Sequence, residues 1–157
     1  MRYLLVVTRR RLQGTPPELG LQESLLDFSD PLRKRALLPA SYTIDTDRKL
    51  VVSRIWGAAT EDEIFDHGQR LRNDPQFRPD FRQLVDMSEL TQIRVGSGLI
   101  RDASRNQFFS PGARRAIVAN SDAAFGMARM YAIASEDVGQ TIEVFRDMDA
   151  AEAWLEL

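Results

Sequence analysis

The chain has 157 residues, with 21 Lys and Arg, 23 Asp and Glu, one histidine, no cysteine and a formal charge of -2. That length suits one domain able to bury roughly 70% of its unfolded surface without staples, and the lack of cysteine removes disulfides, thiolate nucleophiles and cysteine-held metals, as in a reducing, cytoplasmic setting. One histidine is too few for a histidine-rich metal or catalytic site, and residues 41 to 157 carry fourteen basic against nineteen acidic side chains, the wrong balance for a nucleic-acid surface.

Residues 1 to 40 are expected to form a flexible or poorly ordered leader, with Gly14, Pro16, Pro17, Gly20, Pro31 and Pro39 spread along it. Tyr3 to Val7 is apolar, but basic residues follow it rather than precede it, the reverse of a signal sequence. No apolar stretch approaches the roughly 20 residues of a bilayer helix, so no membrane span is expected. Leu21, Leu25 and Phe28 share one face of a short helical possibility. The runs Arg9 to Arg11 and Arg33 to Arg35 suit either an arm for an acidic partner or a membrane surface, or a solvated tail. A translation start near Leu38 is a further expectation for this segment.

From Ser41 the pattern becomes regular. Tyr42 to Asp45 and Leu50 to Trp56 alternate and are rich in β-branched and aromatic residues, with a polar turn between them, which predicts an antiparallel hairpin. Gly57 stops the second strand, and Thr60-Glu61-Asp62-Glu63 is a capping box that starts a helix running to about Arg72. On that helix Ile64, Gly68 and Leu71 form the apolar stripe with Phe65 beside them, and His67 is expected just off it, at the helix surface. Gln83 to Met87 reads as a short strand, Ser97 to Gln107 as a helix burying Leu99, Ile100 and Ala103, and Arg114 to Ala119 as a buried parallel strand. Ser121 and Asp122 cap a helix to about Ser135 that is apolar nearly all round. Gln140 to Arg146 gives the last strand, and Asp149 with Glu152 is expected to cap a closing helix that docks Ala151, Trp154 and Leu155. The predicted order is β-β-α-β-α-β-α-β-α in an α/β domain, with the later strands parallel and helices covering the sheet.

This order resembles the STAS family, the SpoIIAA-like anti-sigma-factor antagonists, over residues 41 to 157. So do the strand closing in Asp86-Met87-Ser88, Ser97-Gly98-Leu99 at a helix start, and Val144-Phe145-Arg146-Asp147 with Ala153-Trp154-Leu155 near the end. The similarity is greatest to its uncharacterised bacterial branch, and the fold class is also similar to the lipid-carrying CRAL-TRIO proteins. The resemblance implies a mixed, mostly parallel sheet with an N-terminal antiparallel hairpin and about four helices. It also implies a Ser or Thr before Gly-Leu in D-S-S-G-L whose phosphorylation governs binding to a kinase anti-sigma factor. Here the chain departs from the motif. Counted from Asp86 without gaps, the Asp and first Ser fall on Arg94 and Val95; with one inserted residue they fall on Val95 and Gly96. Only in the second register does Ser97 match, as the second serine, which makes it the candidate phosphoacceptor or, more simply, a helix N-cap.

Three functional expectations follow. Gly96-Ser97-Gly98, with Asp86, Glu89 and Asp102 as carboxylates, would serve a phosphate-binding enzyme, but the segment lacks the third glycine of a dinucleotide site and the Lys-Ser/Thr of a P-loop; no catalytic residue, cofactor or metal is expected. Phe125, Met127, Met130 and Tyr131 suit an apolar-ligand lid or a homodimer face. The preferred expectation is a non-enzymatic interaction module for a protein partner such as an anti-sigma-factor-like kinase. Its exposed loop would run from Ser88 to Gly98 and draw on Asp86, Ser88, Ile93, Arg94, Val95, Arg101 and Arg105. Ile93 and Val95 are expected to be exposed, so that replacing both with Asp would leave the thermal midpoint nearly unchanged.

Overall fold

The computed structural model describes residues 39 to 105 and 107 to 157; residues 1 to 38 of the leader, with its short helical possibility and basic runs, lie outside them, as do the side chains of Ser97 and Leu99, while Ala40, expected in the leader, is buried at the start of the first strand. The first two strands, β1 (Ala40–Asp45) and β2 (Leu50–Ile55), form the expected antiparallel hairpin, with Ala40 opposite Ile55 and Asp45 opposite Leu50. Its turn is closed by the Arg48 N–H donating to Asp45 Oδ1 at 2.9 Å, with Lys49 in the left-handed region at φ 51°.

Gly57, at φ 64°, turns the chain out of β2 into a short strand the sequence pattern did not reveal, β3 (Gly57–Thr60). Helix α1 (Glu61–Arg72) follows with both halves of its capping box made: Thr60 Oγ1 accepts the Glu63 N–H, and the Glu63 carboxylate accepts the Thr60 N–H at 2.9 Å. Then come β4 (Arg82–Asp86), β5 (Leu90–Arg94), α2 (Ser97–Arg105), β6 (Arg114–Val118), α3 (Asp122–Glu136), β7 (Thr141–Phe145) and α4 (Met148–Leu155). Asp147, rather than Asp149, caps α4, accepting the Ala150 N–H at 2.9 Å.

The main sheet has five strands in the order β1-β2-β4-β6-β7, antiparallel only between β1 and β2. Beside it β3 and β5 make a separate two-stranded parallel sheet. β3 (Gly57-Ala58-Ala59-Thr60) lacks the β-branched, alternating signature of an independent strand, whereas β5 carries Thr91 and Ile93 at alternate positions; the two pair because the sheet strands they follow, β2 and β4, are themselves neighbours. The Gly57 N–H donates to Glu89 O at 3.0 Å, where this second sheet begins.

One face of the main sheet packs on α4, with Leu84, Ala116 and Val118 against Ala151 and Leu155. The other face is covered by α1 and α3, and α2 packs on α3. Small buried residues at helical spacing, Ala124, Ala128 and Ala132, bring α3 close to β7. That second face carries two apolar clusters rather than one. Val51, Phe81 and Ala113 belong to the first; Ile55, Val85 and Ile117 belong to the second. Between them, two residues along each strand, lie Ser53, Gln83 and Arg115, all buried.

These three form the middle of a polar seam. Gln83 Nε2 donates to Ser53 Oγ at 3.1 Å, and Arg115 Nε donates to Gln83 Oε1 at 2.9 Å. Arg115 Nη1 continues to Gln107 Oε1 at 2.8 Å and to the Tyr131 hydroxyl at 3.1 Å, while its guanidinium lies 4.5 Å from the centre of the Phe109 ring. At the other end His67 Nε2 lies 3.1 Å from Ser53 Oγ. His67 is therefore not the surface residue its position beside the apolar stripe implied: only 6% of it is exposed, and a partner on β2 draws it inward. Phe65, expected beside the stripe, is 56% exposed instead.

Candidate interaction site at the strand ends

The parallel strands β2 and β4 bring polar side chains to one end of the main sheet. Arg54, one residue before the end of β2, donates from Nε to Asp86 Oδ2 at 3.2 Å and from Nη2 to Glu89 Oε1 at 3.4 Å. Asp86 Oδ1 accepts the Ser88 N–H at 3.0 Å and the Ser88 hydroxyl at 2.6 Å. Burial works to raise the Asp86 pKa, but the two Ser88 hydrogen bonds and the Arg54 guanidinium together outweigh it, so the carboxyl lies below its ordinary value. Both oxygens are occupied, and Asp86 is buried. Asp86 and Ser88, expected in an exposed recognition loop, instead fix the turn between β4 and β5. The crevice among Arg54, Ile55, Trp56, Asp86 and Glu89 measures about 10 Å³, at most the space of one water.

The rest of the expected loop is largely strand β5. Thr91, Gln92 and Arg94 are exposed, and Arg94 directs Nε and Nη2 onto Gln92 Oε1 at 3.2 and 3.1 Å. Ile93 is half-buried against the second apolar cluster and Val95 is half-buried, so neither is the free apolar contact expected of a loop. Arg101 and Arg105 are exposed on α2, as anticipated.

Helix α2 begins at Ser97, with Gly96 immediately ahead of it. The Gly96 N–H donates to the Glu61 carboxylate, and a Cβ at this glycine would lie only 3.1 Å from Glu61 Oε1.

Alongside β5 runs a groove of about 190 Å³. One wall is the consecutive stretch Leu90 to Ile93; the other is Ser121, Ala123 and Ala124 at the start of α3. Among the described residues β5 has a strand partner, β3, on one side only.

The four apolar residues expected to share one face of α3 do not. Phe125 is half-buried beneath the Arg146 guanidinium, which sits 4.0 Å from its ring centre, and Tyr131 turns inward to the polar seam. Met127 is half-buried, while Met130 points outward and is 53% exposed. They do not form a single lid, and none of them lines the groove.

The sequence reading missed the seam, although its signal was present. Val51-x-Ser53-x-Ile55, Phe81-x-Gln83-x-Val85 and Ala113-x-Arg115-x-Ile117 each place one polar residue between two apolar residues on the same strand face. Burial holds the His67 pKa down at about 4, with the Arg70 charge adding to it, so the imidazole is neutral across the physiological range. The Ser53 hydroxyl next to it is fully buried, with no surface from which a substrate would approach. Among the described residues, no group of three or more His, Asp and Glu side chains is placed to hold a metal ion, and no helix is long and apolar enough to cross a membrane.

The chain is similar in structure to a protein from Shewanella loihica PV-4, an uncharacterised member of the DUF3478 family with a SpoIIAA-like fold. The TM-score is 0.50 at 17% identity, with 74% of this chain and 93% of that chain covered. No family model matches the sequence, and no curated protein is similar to it. The fold is thus SpoIIAA-like: a mixed α/β sheet opened by an antiparallel hairpin, its other strands parallel, with four helices among the described residues.

Proposed function

We propose that the protein is a non-enzymatic, cytoplasmic binding module that takes up an extended segment of a protein partner along the free side of β5. The observation that carries this reading is the groove of about 190 Å³ between Leu90 to Ile93 and the start of α3, beside a strand paired on one side only. A strand with an unpaired side offers backbone donors and acceptors to an incoming chain, and flanking side chains then set specificity. Arg94, exposed on β5 itself, favours a segment with acidic residues. The volume lies below the roughly 300 to 1,000 Å³ of small-molecule pockets, which favours a peptide over an enclosed apolar ligand.

The same reading extends to a partner of the anti-sigma-factor kinase type, supported by the SpoIIAA-like fold and by the serine at the start of α2, Ser97. A phosphoryl group on Ser97 would add negative charge next to the residue whose N–H the Glu61 carboxylate holds, opposing that contact.

The test is capture of the partner from the native organism, followed by reconstitution with both proteins purified. Hydrogen exchange should slow across residues 90 to 94 in the complex, and Arg94→Glu should weaken binding while leaving the fold intact. Protection confined to another surface, or affinity indifferent to Arg94→Glu, would remove the reading.

A further inference from the structure

The outer side of α3 takes no part in the groove or the core. Helical spacing places Gly126, Arg129, Met130, Ile133, Glu136 and Asp137 on it, opposite the buried Ala124, Ala128 and Ala132, and all six are exposed. Met130 is 53% and Ile133 57% exposed, and Val138, just beyond the helix, is 40% exposed. Large apolar side chains in this position leave dispersion and burial unused.

The charges on this face are also unused. Among the described residues the side chains of Arg129, Glu136 and Asp137 make no hydrogen bond or ion pair, unlike Asp122 on the first turn, which pairs with Arg146 at 2.8 Å. Arg129 precedes the apolar pair and the two acids follow it. Arg129 and Glu136 are two helical turns apart on the same flank.

We infer that this face binds a second copy of the chain, α3 against α3 in antiparallel orientation about a two-fold axis near Ile133. In that arrangement Ile133 meets its own copy, Met130 packs over the neighbouring turn, and Arg129 of each protomer reaches Glu136 and Asp137 of the other. The contact is isologous, so each ion pair occurs twice and the assembly closes at two subunits. A parallel pairing would instead set Arg129 against Arg129 and acid against acid, and is disfavoured by the same charges. A built Cβ at Gly126 meets nothing within 4 Å, so this end of the face is open to a neighbour. A contact centred on one helix is at or below the low end of the roughly 1,200 to 2,000 Å² of stable interfaces, and the dimer should therefore dissociate on dilution.

Sedimentation equilibrium of the full chain over a concentration series tests this. Wild type should pass from monomer to dimer and no further. Arg129→Glu should weaken the dimer about tenfold or more, and Arg129→Glu with Glu136→Arg should restore it. Ile133→Glu should leave a monomer with an unchanged circular dichroism spectrum and melting profile. Monomer alone up to the solubility limit, oligomers larger than two, or a dimer equally tight in Arg129→Glu and Ile133→Glu would each overturn the inference. Weakening by Arg129→Glu without recovery in the double variant would overturn the antiparallel register.

Discussion

Arg115 Nε donates to Gln83 Oε1 at 2.9 Å across neighbouring strands, with 7% of Arg115 and 4% of Gln83 exposed. Among the described residues no carboxylate pairs with this guanidinium; two amide oxygens, the Tyr131 phenol and the Phe109 ring surround it. A buried cation of this kind depends on every hydrogen bond it makes. Gln83→Leu should therefore destabilise the fold by about 3 kcal/mol, because it leaves Arg115 Nε unpaired. Arg115→Met should cost less, since it leaves only neutral amides unpaired. The double variant should cost less than the sum of the two, as read by urea denaturation.

His67 makes stability depend on pH in a defined window. Its folded pKa is about 4 against 6.5 for the free side chain, so between those values the unfolded chain binds the proton and the folded chain does not. Its contribution is complete above pH 6.5 and is lost as pH falls toward 4, in total about 3 kcal/mol. The urea midpoint should drop from pH 7.5 to pH 4.5 by more in wild type than in His67→Gln. Nuclear magnetic resonance of the imidazole should show it still neutral at pH 5.5; a charged ring there would contradict the assignment.

Asp86 has a linkage of the same sign in a more acidic window. Its carboxyl titrates below the ordinary value when folded, so its contribution is present above the unfolded pKa and lost as pH falls through the folded one. Asp86→Asn should weaken the Arg54 contact and cost about 1 to 2 kcal/mol at neutral pH. Acid titration of stability in the two proteins should converge at the low end.

Strand β5 should separate stability from binding. Ile93 packs on the apolar cluster, so Ile93→Asp should lower stability by about 2 kcal/mol, in contrast to the near-neutral effect expected of a loop residue. Arg94, exposed and bonded only within the strand, should tolerate Glu within about 0.5 kcal/mol. Thermal melts of the two variants decide the point.

The hairpin, the α1 capping box and the places of the five main strands along the chain were legible because each rests on local pattern: alternation, a Thr-x-x-Glu start, an apolar run bounded by turns. The second sheet was not. Gly57-Ala58-Ala59-Thr60 has little strand character, and it pairs only because β2 and β4 deliver it beside Leu90 to Arg94. His67 was misplaced for a similar reason. A helical wheel treats a polar residue as outward, whereas Ser53, which holds it inward, is on another element. At the candidate site, Arg94, Arg101 and Arg105 were placed correctly at the surface, while Asp86 and Ile93 belong to the scaffold.

The polar seam also bears on how the strands find their alignment. Side chains alternate between the two faces of a sheet, so sliding β6 by one residue would turn the Arg115 guanidinium toward Ala151 and Leu155 on the α4 side, where only apolar groups await it. The same slip would set Ala116 opposite Gln83 and leave that amide unmatched. Ser53, Gln83 and Arg115 thus act as an alignment key that rejects wrong pairings of three adjacent strands. Replacing all three with apolar residues should yield a chain that still collapses but shows multiple amide signals for β4 and β6, the mark of a sheet that no longer distinguishes one register from the next.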